Sequence, residues 1–404
     1  MSALRSVLLL CWRDIGHPQG GGSEAYLQRI GAQLAASGIA VTLRTARYPG
    51  APRHELVDGV RISRAGGRYS VYLWALLAMA AARCGLGPLR RVRPDVVVDT
   101  QNGWPFVARL LYGRRSLVLV HHCHREQWPV AGRMMGRLGW YVESMLSPRL
   151  HRRNQYVTVS LPSARDLIAL GVDSERIAVV RNGLDEAPSP TLSGPRAPTP
   201  RVVVLSRLVP HKQIEDALAA VAELQPRIPG LHLDIVGGGW WRQRLVDHVH
   251  RLDIADAVTF HGHVDDVTKH HVLQSSWVHL LPSRKEGWGL AVIEAAQHGV
   301  PTIGYRSSGG LADSIVDGVT GILVTTGPNW WLGSNNCCPI RCCVTNSAPR
   351  HRRVAVSSPG GKAPKRCAAC WRQCRPAVLS AAWFEPASTD LILGAARRRV
   401  FAVV

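Results

Sequence analysis

The chain has 404 residues, 46% of them hydrophobic and 19% charged, with a formal net charge of +21. That length supports two or three domains with cores of their own, and that balance excludes a disordered chain. From Thr325 onward there are 12 Lys and Arg but only 2 Asp and Glu, so the tail holds about half of the excess charge. Basic surface attracts anionic lipid, phosphorylated ligands or nucleic acid. The body has no aromatic-basic recognition motif, so nucleic acid is not expected as a partner. Cysteine is uneven too. Cys11, Cys84 and Cys123 are scattered through the body, while Cys337, Cys338, Cys342, Cys343, Cys367, Cys370 and Cys374 crowd the tail. The body therefore reads as reduced and cytoplasmic.

In chain order, residues 6–12 (SVLLLCW) are short and run into Arg13-Asp14, so they read as a buried first strand rather than a secretion signal. Gly20-Gly21-Gly22-Ser23-Glu24 opens an amphipathic helix over 24–37, stopped by Gly38. A strand follows at 40–44. The run 71–82 (VYLWALLAMAAA) has 12 residues, fewer than the roughly 20 needed to span a bilayer. It reads as a buried helix. Arg64, Arg68, Arg83, Arg90, Arg91 and Arg93 flank it, so a helix at an anionic membrane surface is the competing reading. Strands follow at 96–98, 117–120, 156–159 and 177–180. Residues 186–200 contain five prolines and read as a linker. The second half repeats the pattern: strands at 202–205, 232–236, 258–260, 278–281 and 301–304, with helices at 214–224 and 290–298.

Strand-helix alternation of this kind predicts an α/β fold with parallel sheets covered on both faces. The predicted domains are 1–185 and 201–324, two Rossmann-like halves whose sheets face a central cleft. In such sheets ligands gather at the carboxyl ends of the strands, so the strand-to-helix loops carry the candidate residues.

The richest loop is 282–294 (PSRKEGWGLAVIE). Gly287 and Gly289 let backbone approach a ligand, and the helix that follows offers unpaired N–H groups suited to phosphate. Arg284 and Lys285 stand beside it. Glu286 lies in the loop, and Glu294 lies inside the helix, where a carboxylate can accept from both ribose hydroxyls. In the loop after 202–205, Arg207 and Lys212 can clamp a pyrophosphate. Gly237-Gly238-Gly239 permits close approach to a base or ribose. In the first half Gly21, Gly22 and Glu24 open a helix, with Ser23 as its candidate N-cap. Asp99 and Asn102 end one strand, and His121-His122-Cys123-His124 ends another. Adjacent histidines on a strand point apart, so this cluster reads as a hydrogen-bonding site rather than zinc.

These motifs together resemble the family 4 retaining glycosyltransferases of GT-B fold. The resemblance runs from about residue 6 to 324. Its most specific element is E-x7-E, here Glu286 and Glu294. It also includes Arg207, Lys212, the glycines before Glu24, Arg181-Asn182-Gly183, and Asp317-Gly318 with Gly321. It implies that Arg207 and Lys212 bind the donor diphosphate and that Glu286 contacts the donor sugar. Gly237, Gly238, Gly287, Trp288, Gly289 and Leu290 would line the donor, and Glu294 would hold its ribose. Gly21, Gly22, Glu24 and Asn102 would line the acceptor, with His121 near the transferred sugar. A hexose would pass from a nucleotide-sugar, as co-substrate, to a glycan, glycolipid or polyisoprenoid-linked acceptor. No metal or other cofactor is implied. The location implied is cytoplasmic, or peripheral on the inner face of the membrane.

The tail departs from this pattern. From Thr325 helical periodicity is lost and Cys and Arg accumulate. Its cysteine spacing fits no standard zinc frame. An out-of-frame tail after 324 is the favoured reading, and an inactive or truncated relative that only binds nucleotide-sugar is the alternative function.

Overall fold

The computed structural model describes residues 4–183, 185, 187, 196–325 and 340. The expected Cys- and Arg-rich tail and most of the proline-rich linker lie outside the described residues. The chain divides into two compact units, with the boundary at Gly183 and Leu184.

In chain order the first unit comprises β1 (Ser6–Leu10), α1 (Gly22–Ala36), β2 (Ala40–Thr45), β3 (His54–Val57), β4 (Val60–Arg64), α2 (Val71–Arg83) and β5 (Val96–Thr100). It continues with α3 (Arg109–Tyr112), β6 (Ser116–Val120), α4 (Arg133–Tyr141), α5 (Ser147–Leu150), β7 (Gln155–Thr158), α6 (Leu161–Ala169) and β8 (Ile177–Val179). Its sheet runs β3-β4-β2-β1-β5-β6-β7-β8. Every pairing is parallel except the antiparallel β3-β4 hairpin. The apolar runs are continuous because both faces are covered. Val7 and Leu9 pack with Leu27 and Leu34 of α1, while Leu8 and Leu10 pack with Ala75 and Met79 of α2.

The hairpin is absent from the sequence reading. Its turn is Asp58-Gly59, with φ of 47° and 77°. Two left-handed residues between short strands is the turn that matches strand twist, and Asp-Gly is its signature.

The helix expected to be buried over 71–82 forms as α2, but only one face is covered. Val71, Ala75, Ala78, Met79 and Ala82 face the sheet. Leu73 (58%), Trp74 (52%) and Leu77 (51%) remain exposed. The run is apolar all round, and a helix packed on one sheet can bury only one side. A second exposed stripe lies on α4, where Met134, Leu138 and Tyr141 recur at helical spacing beside exposed Arg133 and Arg137.

The second unit comprises β9 (Arg201–Leu205), α7 (Ile214–Leu224), β10 (His232–Val236), α8 (Arg242–Arg251), β11 (Val258–Gly262) and α9 (Asp266–Ser275). It continues with β12 (Val278–Leu281), α10 (Leu290–Gln297), β13 (Thr302–Tyr305), α11 (Leu311–Ser314) and β14 (Gly321–Val324). The order is β11-β10-β9-β12-β13-β14, parallel throughout. Val202 and Val204 pack on Ile214, Leu218 and Val221 of α7, and Val203 packs on Leu273 and Ala295 on the other face.

Apart from the β3-β4 edge hairpin, the strand order in each sheet reverses direction at one place. In the second it lies between β9 and β12, and in the first between β1 and β5. Loops leaving the carboxyl ends of such neighbours diverge to opposite faces and leave a crevice.

Candidate active site

The loops after β9 and β12 hold most of the predicted donor residues. One backbone hydrogen bond joins them, Arg284 N–H donating to the His211 carbonyl at 2.9 Å, and two more tie the β12 loop to the loop after β13: Glu286 N–H donates to Ser308 at 2.8 Å, and Gly310 N–H to Glu286 at 3.0 Å. The Lys212 ammonium donates to Glu286 Oε1. Both side chains are largely shielded, at 13% and 12% exposure. Burial pushes the Glu286 carboxyl up, but the charge and hydrogen bond of Lys212, with Ser283 and His211, outweigh it and hold the group below its ordinary value. Glu286 is therefore ionised beside a fixed cation. Arg207 lies half-buried in the β9 loop.

The glycines divide into two roles. A Cβ on Gly289 would meet Leu311 at 2.8 Å, and its φ of 89° is left-handed, so glycine is required where the loop turns into α10. A Cβ on Gly237 would meet the Ser206 carbonyl oxygen at 2.0 Å, and one on Gly239 the Leu208 carbonyl oxygen at 2.1 Å. Their closest constraint is thus the neighbouring loop of the protein itself, whereas Gly238 faces open space. Gly287 and Trp288 are buried and Leu290 is half-buried. The Trp288 indole belongs to the interior of the loop. Glu294 lies in α10 and accepts from Lys269 of α9 at 2.7 Å.

In the first unit the loops after β1 and β5 meet at Glu24. The sequence suggested Ser23 as the cap; the structure starts α1 two residues earlier, with Gly21 as N-cap. Gly21 N–H donates to Glu24 Oε2 at 2.9 Å, and Arg13 donates to Oε1 through Nε at 3.1 Å and its terminal nitrogen at 2.9 Å. Asn102 Nδ2 reaches the same oxygen at 3.4 Å. Glu24, a predicted acceptor residue, is 2% exposed and spends its carboxylate on these protein groups. Gly22 is exposed and Gly21 half-buried. Asp99, another cleft candidate, is fully buried and accepts from the Phe106 and Ala108 N–H groups at 2.7 and 3.0 Å, pinning the loop after β5. Sequence reading missed Arg13 and the pair Arg64–Asp14, joined at 2.6 Å. An Arg-Asp step at a strand end was their only local signal.

The three histidines after β6 take separate partners. His122 Nε2 meets Gln127 at 2.7 Å, and His124 Nδ1 meets Glu143 at 3.0 Å. His121 is buried against the Tyr26 ring, edge to face at 5.3 Å, with its backbone carbonyl held by Ser163. Its Nε2 has no hydrogen-bond partner among the described residues. Burial lowers its pKa to about 4, against the raising effect of Glu24, so the ring is neutral at pH 7.

Burial likewise lowers His151 to about 4 and His279 to about 3. As pH falls below about 6.5, the unfolded chain takes up protons that these folded sites refuse, and stability is lost down to about pH 4. Asp99 acts oppositely: burial raises it to about 6, so its contribution is lost as pH rises from about 4 to 6. His298, lowered to about 4, joins the three histidines, and burial also raises Asp216, as it raises Asp99; the four histidines outweigh the two carboxyls. Thermal unfolding at pH 5 is therefore expected several degrees below that at pH 7, and an equal or higher midpoint at pH 5 would contradict these assignments.

Comparison with known proteins gives the family and the fold. A family model described as Glycosyltransferase Family 4 matches residues 20–188, and one described as Glycosyl transferases group 1 matches residues 193–331. The chain belongs to the family 4, group 1 glycosyltransferases. It is 28% identical over 325 residues to a glycogen synthase of Mycobacterium tuberculosis, covering 75% of this chain and 78% of that protein. It is 31% identical over 225 residues to a GDP-mannose-dependent alpha-(1-6)-phosphatidylinositol monomannoside mannosyltransferase of Mycolicibacterium smegmatis, covering 52% of this chain and 57% of that one. The solved structure of a sucrose-phosphate synthase from Thermosynechococcus elongatus superposes with a TM-score of 0.70 at 21% identity, covering 99% of this chain and 100% of that one. The glycosyltransferase fold is thus GT-B, and the protein is an enzyme of that type. The group 1 match ends at residue 331, six residues past Thr325, where the composition changes.

Proposed function

We propose that this glycosyltransferase moves a hexose from a nucleotide-sugar to a lipid-linked or glycan acceptor, with retention of anomeric configuration. The observation that carries the donor half is the Lys212–Glu286 pair at the β9/β12 reversal, where Arg207 shares the loop of Lys212 and α10 begins just after Glu286. In this reading Arg207 and Lys212 take the diphosphate, and the N–H groups at the start of α10 add partial positive charge. These groups stabilise the leaving nucleotide without a metal. Glu286 receives the sugar hydroxyls, with Gly238 and Leu290 at the edge of the donor. Glu294 holds the ribose. Retention is what the family resemblance implies for the E-x7-E arrangement. His121, neutral and with an uncommitted Nε2, suits a hydroxyl near the transferred sugar.

A thermal-shift screen with UDP-, GDP- and ADP-sugars tests this. At least one should raise the unfolding midpoint, since a ligand that binds only the folded state stabilises it. Glu294→Ala should weaken that ligand about 100-fold, the order of two charge-assisted hydrogen bonds. Affinity unchanged by Glu294→Ala for every donor would defeat the assignment.

The acceptor reading draws on the exposed stripes of α2 and α4. No described helix is long and apolar enough to cross a membrane. Leu73, Trp74, Leu77, Met134 and Leu138 are exposed, with Arg68, Arg83, Arg133 and Arg137 exposed beside them. Apolar side chains with arginines suit the interface of an anionic bilayer, where each cation adds about 1 kcal/mol. The protein should sediment with phosphatidylglycerol-containing vesicles and not with phosphatidylcholine alone, and Trp74→Glu should release it. No sedimentation with the anionic vesicles would remove the lipid-surface part of the proposal.

A further inference from the structure

Lys269 lies on α9, outside every motif recognised in the sequence, yet its ammonium is aimed at Glu294. It donates to Glu294 Oε1 at 2.7 Å and to Asp266 Oδ1 at 2.8 Å. Asp266 is largely exposed, whereas Lys269 and Glu294 are shielded, at 19% and 18%. One residue along, His270 Nδ1 and His298 Nε2 meet at 2.7 Å, so α9 and α10 are braced at two successive points. Burial acts to lower the Lys269 ammonium, but Glu294 and Asp266 outweigh it, and it stays charged.

A carboxylate has about four acceptor sites on two oxygens. Lys269 occupies one on Oε1. That contact selects one rotamer of a side chain that has several and leaves the other acceptor sites for the ligand. Without it, Glu294 would have to be ordered by the ligand itself, at an entropic cost.

We propose that Lys269 is a positioning residue that fixes Glu294 to receive the ribose diol of the donor. The inference rests on the reading of Glu294 as the ribose acceptor. It says why a half-buried lysine is spent on a group that the nucleotide must also reach.

The test is calorimetry on the full chain with GDP, UDP and ADP, each against its 2′,3′-dideoxy form. For the wild type the ribonucleotide that binds should do so more tightly than its dideoxy form. Lys269→Met should weaken the ribonucleotide about tenfold and the dideoxy form less than about twofold, since only the former uses Glu294. Lys269→Arg, which keeps the cation, should retain the ribonucleotide preference. A merely structural role would weaken both ligand forms together, and that result overturns the proposal. So does an unchanged ribonucleotide affinity in Lys269→Met. If Glu294→Ala leaves the ribose preference intact, the assignment of Glu294 fails and Lys269 falls with it. If Glu294→Ala abolishes the preference and Lys269→Met does not, the Lys269 inference alone fails.

Discussion

Replacing Lys212 by Met should lower kcat/KM about 100- to 1000-fold, the usual loss when one preorganised charge at a reacting group is removed. Two effects combine. The diphosphate loses a cation, and Glu286 loses the partner that holds its carboxyl down against burial. The Glu286 carboxyl should therefore rise, and the acidic limb of the pH–rate profile should move upward. Steady-state kinetics from pH 5 to 9 reads both. Because the two side chains are in contact, Lys212→Met with Glu286→Gln should cost less than the product of the single losses. Activity within twofold of wild type in Lys212→Met would contradict the role given to the pair.

The second large effect is on folding. Glu24→Ala should destabilise the protein by about 3 kcal/mol, because it strands the buried Arg13 guanidinium and removes the acceptor of the Gly21 N–H. Breaking a buried pair on one side costs more than replacing both members, since the survivor is an uncompensated charge. Arg13→Met with Glu24→Leu should thus recover part of the loss. Urea unfolding measures both variants. A change below about 0.5 kcal/mol for Glu24→Ala, the range of ordinary surface substitutions, would show the cluster to be energetically idle.

The contrast between these residues bears on what a sequence can reveal. Lys212, Glu286 and Glu294 were legible because short loops after strands fix where side chains begin, and the residue types suit phosphate, sugar and ribose. Their partners were not. Lys269 meets Glu294 from another helix, 25 positions away. Arg13 meets Glu24 only because β1 turns back into α1. The Gly237 and Gly239 cluster looked like a ligand cradle from sequence, but the backbone that comes close belongs to the β9 loop.

Sequence by itself determined the two α/β halves, nearly every parallel strand and the strand-end position of the candidate residues. Those features follow from local periodicity, from glycines at helix ends and from apolar runs that must be covered on both faces. Tertiary structure decided the strand order, and with it the two reversals where the loops converge. It also decided which side of α2 meets the sheet, because an all-apolar helix carries no pattern that chooses a face. The pairing of charges at Glu24, Glu286 and Glu294 belongs to the same class. Coulomb energy and burial depend on distances across elements, which spacing along one strand of sequence does not encode.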